Sequence, residues 1–533
     1  MLTVSLALAL LTAAPTAQAA TARQAAPDTL VICPEAFRSP LAPWLELRAS
    51  QGHHCQVIKP DSVDGLRQQI RAIAKQGALR YIVLVGDAPV ENQSANSLVT
   101  VPTHYVPSQV IMRFGGEKVI AGDNWYADLD DDQLPDVAIG RLPADSAEDL
   151  RTMIDKILAY ERGPAPGNWR RRINLVAGLG GFGALADAAI EASAKRLLID
   201  GIPPAYATSV TYGSWRSPYC PDPQLFHAST VDRFNEGCLF WVYMGHGHTR
   251  TVDRVRTPDG QHHIFNTDDC GKLQCGARSP IALLLCCSTG GFDQRDDCLA
   301  EELLRTKDGP VAALAGSRVT MPYAMSVLGA EMLRIYFAEE CMTVGDLLAA
   351  AKRAMISRPR DDERSQTIDA LAKMLNPASV DLALERAEHL ELFNLIGDPL
   401  LKLPRAATAE ITAPKNIRSG EPLEISGSTP IDGDVEVELV VRRDRLTFRP
   451  TPRTKYESSA AAREEYQRTY ARANDTRLVS QVTKSADGKF RATLAVPATA
   501  SGECHVRVFV QGVQDIAVGA TDITIEPSVA MKK

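Results

Sequence analysis

Two apolar runs in this 533-residue chain end in side chains suited to acyl chemistry. The first, Leu239-Phe240-Trp241-Val242-Tyr243-Met244, leads into Gly245-His246-Gly247-His248. The second, Ile281-Ala282-Leu283-Leu284-Leu285-Cys286, leads into Cys287-Ser288-Thr289-Gly290-Gly291. A thiolate attacks a carbonyl carbon, and a nearby imidazolium both favours the thiolate and protonates a departing amine. Glycines beside each reactive residue let backbone approach a substrate, and the N–H groups of Gly247 and Cys287 are the natural donors to a tetrahedral oxyanion. Singly, each signal is weak: a Cys ending a buried strand is more often an inert core thiol, and a His after an apolar run is often structural. Their joint occurrence, each followed by glycine, carries the reading. Strand alternation sends Cys286 and Cys287 to opposite faces, so only one of them can meet the histidine. His246-Gly247-His248 is also a pair that zinc could use, but no third ligand is spaced to complete a site, and His248 reads as a polar loop residue.

A second constellation is acidic. Asp128, Asp130, Asp132 and Asp136 stand at positions 1, 3, 5 and 9 of one loop, with the Leu134 carbonyl at position 7, a spacing that brings hard oxygen ligands onto one Ca2+ ion. Gln133 replaces the sharp-turn Gly, and Ile139 the bidentate Glu, of an EF-hand. The expectation is a related calcium turn; a solvated acidic loop is the competing reading.

The elements that position these residues follow from periodicity. Short, nearly continuous apolar segments, Thr29 to Ile32, Tyr81 to Val85, Val137 to Ile139, Leu175 to Ala177, Leu239 to Met244, Ile281 to Cys286 and Val311 to Ala315, predict strands buried on both faces. Between them Leu150, Met153, Ile154, Ile157 and Leu158 recur with helical spacing behind Asp145 and Glu148, placed as a capping box. The expected class is α/β, with mostly parallel sheets flanked by helices in two units, 27–165 and 166–404, divided near Gly163 to Gly167. Beyond Pro404 the texture turns to strict alternation, as in Val435 to Leu439 and His505 to Val510, which predicts an antiparallel β-sandwich over 405–533. A charged insertion at about 443–478 interrupts it, with a surface helix expected over Ser458 to Asn474.

Composition bounds the rest. With 58 basic against 65 acidic residues and a net charge of −7, no basic run stands ready to neutralise phosphates, so nucleic acid is not expected as a partner. Leu2 to Ala14 is apolar and is followed by Ala17-Gln18-Ala19, which predicts a signal peptide over 1–20 and an exported, secreted or periplasmic product. No later run is long enough to cross a bilayer as a helix. Eleven cysteines, irregularly spaced and odd in number, predict at least one free thiol rather than a disulfide scaffold.

The strand-GHG and strand-C-x-x-G-x-F pair resembles the caspase-like cysteine peptidases and, in detail, the gingipain family. Tyr243 to Gly247 is similar to the family's histidine loop, and Cys287 to Phe292 to its nucleophile loop, with Cys298-Leu299-Ala300-Glu301 continuing the likeness. Leu84-Val85-Gly86-Asp87, Ile139-Gly140-Arg141 and Gly397-Asp398-Pro399 agree in the same order. The resemblance implies a caspase-like fold followed by an immunoglobulin-like domain. It also implies structural calcium with no organic cofactor, Cys287 as nucleophile and His246 as its acid/base partner. A secreted cysteine endopeptidase acting on proteins or peptides is the expectation. The alternative is a catalytically silent protein that binds a surface or partner through its C-terminal domain.

Three features depart from the family pattern. The acid beside the histidine is replaced by Leu179 in Gly178-Leu179-Gly180-Gly181-Phe182-Gly183, and the pocket acid has no clear counterpart. Asp187 and Glu191 follow, in a pattern that suits a solvated helix face. In the segment that lines the substrate pocket of relatives, Arg318 and Tyr323 stand as candidate lining residues together with Cys286, and Arg318 is the group able to select an acidic side chain. Finally, the first strand lies close behind the leader, leaving little room for the family's long propeptide.

Overall fold

The computed structural model describes residues 26–91, 98–163, 167–179, 201–339, 341–375 and 381–528. The leader and the Gly180 to Gly183, Asp187 and Glu191 positions lie outside the described residues.

Ten strands form one sheet: β1 (Thr29–Ile32), β2 (Cys55–Ile58), β3 (Tyr81–Val85), β4 (Ala138–Leu142), β5 (Arg172–Ala177), β6 (Ala207–Tyr212), β7 (Phe240–Met244), β8 (Ile281–Leu285), β9 (Ala312–Gly316) and β10 (Phe393–Ile396). Their spatial order is β2-β1-β3-β4-β10-β9-β8-β7-β5-β6. Every neighbouring pair is parallel except β9 with β10. The sheet is therefore two parallel halves running in opposite directions, joined at that antiparallel pair. All seven strands expected from the sequence take part. β10 returns late in the chain to complete the first half.

The inner strands are buried on both faces, as β3 and β8 are along their whole length, because helices cover the sheet on either side. The helix Ala147–Arg162 buries Leu150, Met153, Ile154, Ile157 and Leu158 as its spacing requires. Its capping box sits one residue further on than the sequence suggested. Ser146 accepts from Asp149 N–H and Asp149 returns the contact, while Asp145 pairs with Arg305 at 2.8 Å.

The short motifs carried by the resemblance meet at the centre of the sheet as girders. Arg141, fully buried, pairs bidentately with Asp123 at 2.9 and 2.8 Å and donates to the carbonyls of Gly86 and Val101. Gly397 N–H donates to the Arg141 carbonyl at 2.7 Å, and Asp398 accepts from Trp44 and Arg48.

Residues after Pro404 form a six-stranded, largely antiparallel sheet and a three-stranded antiparallel one. Leu423, Ile425 and Phe490 from one and Val435, Val437, Val506 and Val508 from the other share a core. The expected helix is present as Ala460–Ala473, capped by Ser459. It docks back on the α/β part. The Asn474 amide pairs with both N–H and C=O of Val210 on the edge strand β6, at 2.7 and 3.0 Å, which covers a sheet edge otherwise open to pairing. The Tyr470 hydroxyl meets Thr211 and Arg233, and Arg443 is spent on the carbonyls of Ile202, Pro203 and Tyr206.

Candidate active site

β7 and β8 are adjacent and parallel, with Met244 level with Leu285. The residues that follow, Gly245-His246-Gly247 and Cys286-Cys287, therefore leave the sheet at the same edge. Loops beyond the carboxyl ends of parallel strands are where α/β proteins place functional groups.

The two loops touch. A Cβ on Gly247 would stand 2.5 Å from the Cys287 carbonyl oxygen and 2.8 Å from Cys286 Sγ, so only glycine allows this approach. Gly245, at φ 152°, turns the chain just before His246, and a side chain there would meet the Tyr243 hydroxyl at 2.7 Å. That hydroxyl, on a buried ring, donates to the His246 carbonyl at 2.9 Å and accepts from Asp253 N–H at 3.2 Å. Asp253 N–H also reaches the His246 carbonyl at 3.1 Å. The histidine backbone is thus pinned from below while its side chain is partly exposed.

The two adjacent thiols separate as alternation requires. Cys286 is fully buried and contacts Thr289 Oγ1 at 3.3 Å; Cys287 is partly exposed. All eleven cysteines are free thiols, and burial raises the pKa of the ten others, Cys55 and Cys504 to about 11 and Cys33, Cys270 and Cys275 to about 12. Ser288, directly after Cys287, is held at φ 57°, a left-handed conformation that is uncommon for a non-glycine residue and tends to mark constrained functional turns.

The nucleophile loop is stitched to the loop that follows β9. Ser288 N–H donates to Arg318 O and Gly290 N–H to Gly316 O, both at 2.9 Å. Thr320 comes from the same loop and meets Cys287 Sγ, with its N–H at 3.3 Å and Oγ1 at 3.6 Å. Sequence reasoning stopped at its neighbours Arg318 and Tyr323, because a backbone donor leaves no mark in side-chain pattern.

The three candidate pocket residues are engaged inside the protein. Arg318 is 2% exposed and donates to both Asp293 oxygens, to Val119 O and to Ser317 O, so its guanidinium is committed inside the protein. Cys286 is sealed below the loop, and the buried Tyr323 gives its hydroxyl to Asp369 and accepts from Arg386. As placed, none of the three offers a free polar atom to a substrate side chain. Leu179 is partly buried beyond β5, and Gly178, just before it, packs against Asp253.

Among the described residues, two groups of three or more metal-ligating side chains converge, and His246 and His248 belong to neither. One is Asp87, Asp297 and Glu301, threaded by Arg305, which pairs with Asp297 at 2.7 Å. The other is Asp128, Asp130 and Asp136, with one oxygen from each lying within 4.8 Å of the others. Three hard carboxylates at that separation suit calcium. Asp132, the fourth expected ligand, instead accepts from Leu134 N–H at 2.7 Å. Asp131, at φ 70°, points away to Arg67 and Arg71, both at 2.7 Å.

Comparison with known proteins shows the family. Gingipain R2 of Porphyromonas gingivalis is 22% identical over 409 residues, 73% of this chain and 48% of that protein. Lys-gingipain W83 of the same organism is 24% identical over 306 residues, 54% of this chain and 15% of its own length. The chain therefore spans about half or less of these curated relatives. The crystal structure of the Arg-specific cysteine proteinase gingipain R shares the fold at a TM-score of 0.52 and 18% identity, covering 95% of this chain and 99% of that one. The model of peptidase family C25 matches residues 22–404, and the chain belongs to that family.

Proposed function

We propose that this protein is a cysteine endopeptidase that hydrolyses peptide bonds of protein substrates through Cys287 and His246. The close approach of Gly247 to the Cys287 carbonyl and the Cys286 side chain carries the reading, because it brings the histidine loop and the one partly exposed thiol of the pair to the same place. Cys287 gives its proton to His246, and the thiolate adds to the scissile carbonyl. The N–H groups of Gly247 and Cys287 receive the oxyanion; His246 returns the proton to the departing amine. Water, deprotonated by His246, then attacks the thioester and releases the acid and the thiol.

Residues 405–533 read as an immunoglobulin-like sandwich, supported by alternating strands such as Lys489–Ala495, in which every second side chain is buried. Asp128, Asp130 and Asp136 read as a structural calcium site on the strength of their convergence. Export is supported by the apolar Leu2 to Ala14 run and the small residues after it.

Iodoacetamide or a peptide chloromethyl ketone should modify Cys287 well ahead of the ten other thiols, and Cys287→Ala should lower cleavage of an unfolded protein by roughly a thousandfold or more. Undiminished cleavage by Cys287→Ala sinks the proposal. Slow, uniform labelling of all thiols, with no cleavage, would instead favour a partner-binding protein on this fold, the reading that Leu179 invites.

A further inference from the structure

We propose that Thr320 is a further catalytic residue, whose N–H and hydroxyl hold Cys287 Sγ as the thiolate; this deepens the peptidase reading and rests on it. The sulfur has three contacts with this one residue. Thr320 N–H lies 3.3 Å away and Thr320 Oγ1 3.6 Å, both able to donate, and the Thr320 carbonyl at 3.6 Å can accept from the neutral thiol. When the proton moves to His246, the carbonyl contact loses its hydrogen and the two donors face a full negative charge. Hydrogen bonds to an ionised acceptor are roughly twice as strong as neutral ones, so this cradle favours the ionised form.

The hydroxyl has a second acceptor, Met325 Sδ at 3.0 Å. A thioether is a weak acceptor, so ionisation of Cys287 turns the hydroxyl toward the thiolate.

Four anchors give Thr320 its fixed place. Ser317 N–H and Oγ donate to Leu392 O and Ala121 O, at 2.9 and 2.7 Å. Arg318 clamps Asp293, the residue just after the nucleophile loop. Met321 N–H donates to His389 Nε2 at 2.8 Å, and Ala324 N–H to Glu385 Oε1 at 3.1 Å. Thr320 itself is 4% exposed, and a side chain on Gly316 would collide with its methyl group at 2.7 Å. Donors held this firmly need no reorganisation when charge appears.

The test is the pH dependence of Cys287 alkylation, read by mass spectrometry on the full chain. Thr320→Val keeps the N–H and the shape but loses the hydroxyl; Thr320→Ser keeps both donors. The midpoint should rise by about one pH unit in Thr320→Val, roughly tenfold less thiolate at a fixed pH below it, and stay at the wild-type value in Thr320→Ser. The specificity constant kcat/KM should fall in parallel in the first and recover in the second. Thr320→Ala gives the same readout should the valine variant fail to fold. Midpoints that coincide in all variants overturn the proposal. The labelling midpoint needs no turnover, so cleavage that survives Cys287→Ala defeats the peptidase reading separately from the role of Thr320.

Discussion

Arg318 and Asp293 form a bidentate ion pair at 2.7 and 2.5 Å, with both side chains at or below 2% exposure, and it joins the end of the nucleophile loop to the loop after β9. Four of the five guanidinium N–H groups are spent inside the protein, two on Asp293 and one each on Val119 O and Ser317 O, which favours a structural role. Removing one partner of such a pair leaves a buried charge uncompensated, which costs about 3–5 kcal/mol. Arg318→Ala should therefore lower unfolding stability by that order in denaturant titrations. A peptide library should show no change in the residue preferred before the cut. A changed preference with unchanged stability would return Arg318 to the pocket.

The sequence made the site legible where chemistry and periodicity coincide. His246 and Cys287 each follow an apolar strand; alternation shows that only one of Cys286 and Cys287 can face the histidine, and the resemblance to the gingipain family, counted back from Gly290 and Phe292, selects Cys287. The strands missed are those in which the apolar signal is diluted. β2 and β6 are half-exposed edges, and β10 carries Asn394 in mid-strand, its side chain accepting from Asp123 N–H at 2.9 Å. In sequence, a lone arginine near a pocket looks the same whether its carboxylate belongs to substrate or to Asp293, 25 residues earlier, and only the structure shows the Asp293 pairing. Thr320 was invisible since its shortest contact with the sulfur is made by backbone.

Gly247 offers a geometric test of the loop contact. A Cβ at 2.5 Å from the Cys287 carbonyl and 2.8 Å from Cys286 Sγ forces the two loops apart. Displacing a catalytic group by about 1 Å costs on the order of a hundredfold in rate. Gly247→Ala should reduce kcat by about that factor, with a stability loss of only about 1–3 kcal/mol, the usual cost of overpacking. Full activity in a folded Gly247→Ala protein would show that the loops are free to separate without consequence.

The proposed calcium site makes a prediction through its crowded charges. The Asp130 carboxyl is held above its usual range, by desolvation first and then by Asp136, Asp132 and Asp128, although Asp132 N–H pulls the other way. A cation relieves that repulsion, and a ligand that binds only the folded state raises stability as its concentration exceeds Kd, by about 2.7 kcal/mol at a hundredfold excess. Wild-type protein should melt higher in calcium than in a chelator. Asp130→Asn should lose most of that difference and match or exceed wild type in the chelator. Identical melting curves with and without calcium would leave these carboxylates as a solvated loop.

The segment from Thr320 to Ala324 should also carry a pH signature, because Glu385 and His389, two of the three buried titratable groups on the helix Leu382–Leu392, bond to it. Burial raises the Glu385 carboxyl to about 7 even though Ala324 N–H and Arg386 act to lower it; burial likewise depresses His389 to about 4 against its bond to Glu385 O. The signs oppose. Glu385 binds its proton more tightly when folded, so its contribution is complete below the unfolded value near 4.5 and is lost as pH rises through 7. His389 binds a proton less tightly when folded, so its contribution is complete above 6.5 and is lost as pH falls through 4. Between these limits the two slopes offset one another, and above 6.5 only the loss at Glu385 remains. Glu385→Gln keeps an acceptor for Ala324 N–H but cannot ionise. Its stability relative to wild type should be flat below about pH 4.5, grow through neutrality and level off near pH 8, with a ceiling of about 3 kcal/mol. Chemical denaturation of both proteins across that range measures the difference directly. A difference independent of pH would mean that Glu385 titrates alike in the folded and unfolded chains, and its buried contact with the Thr320 loop would then play no part in the protein's response to pH.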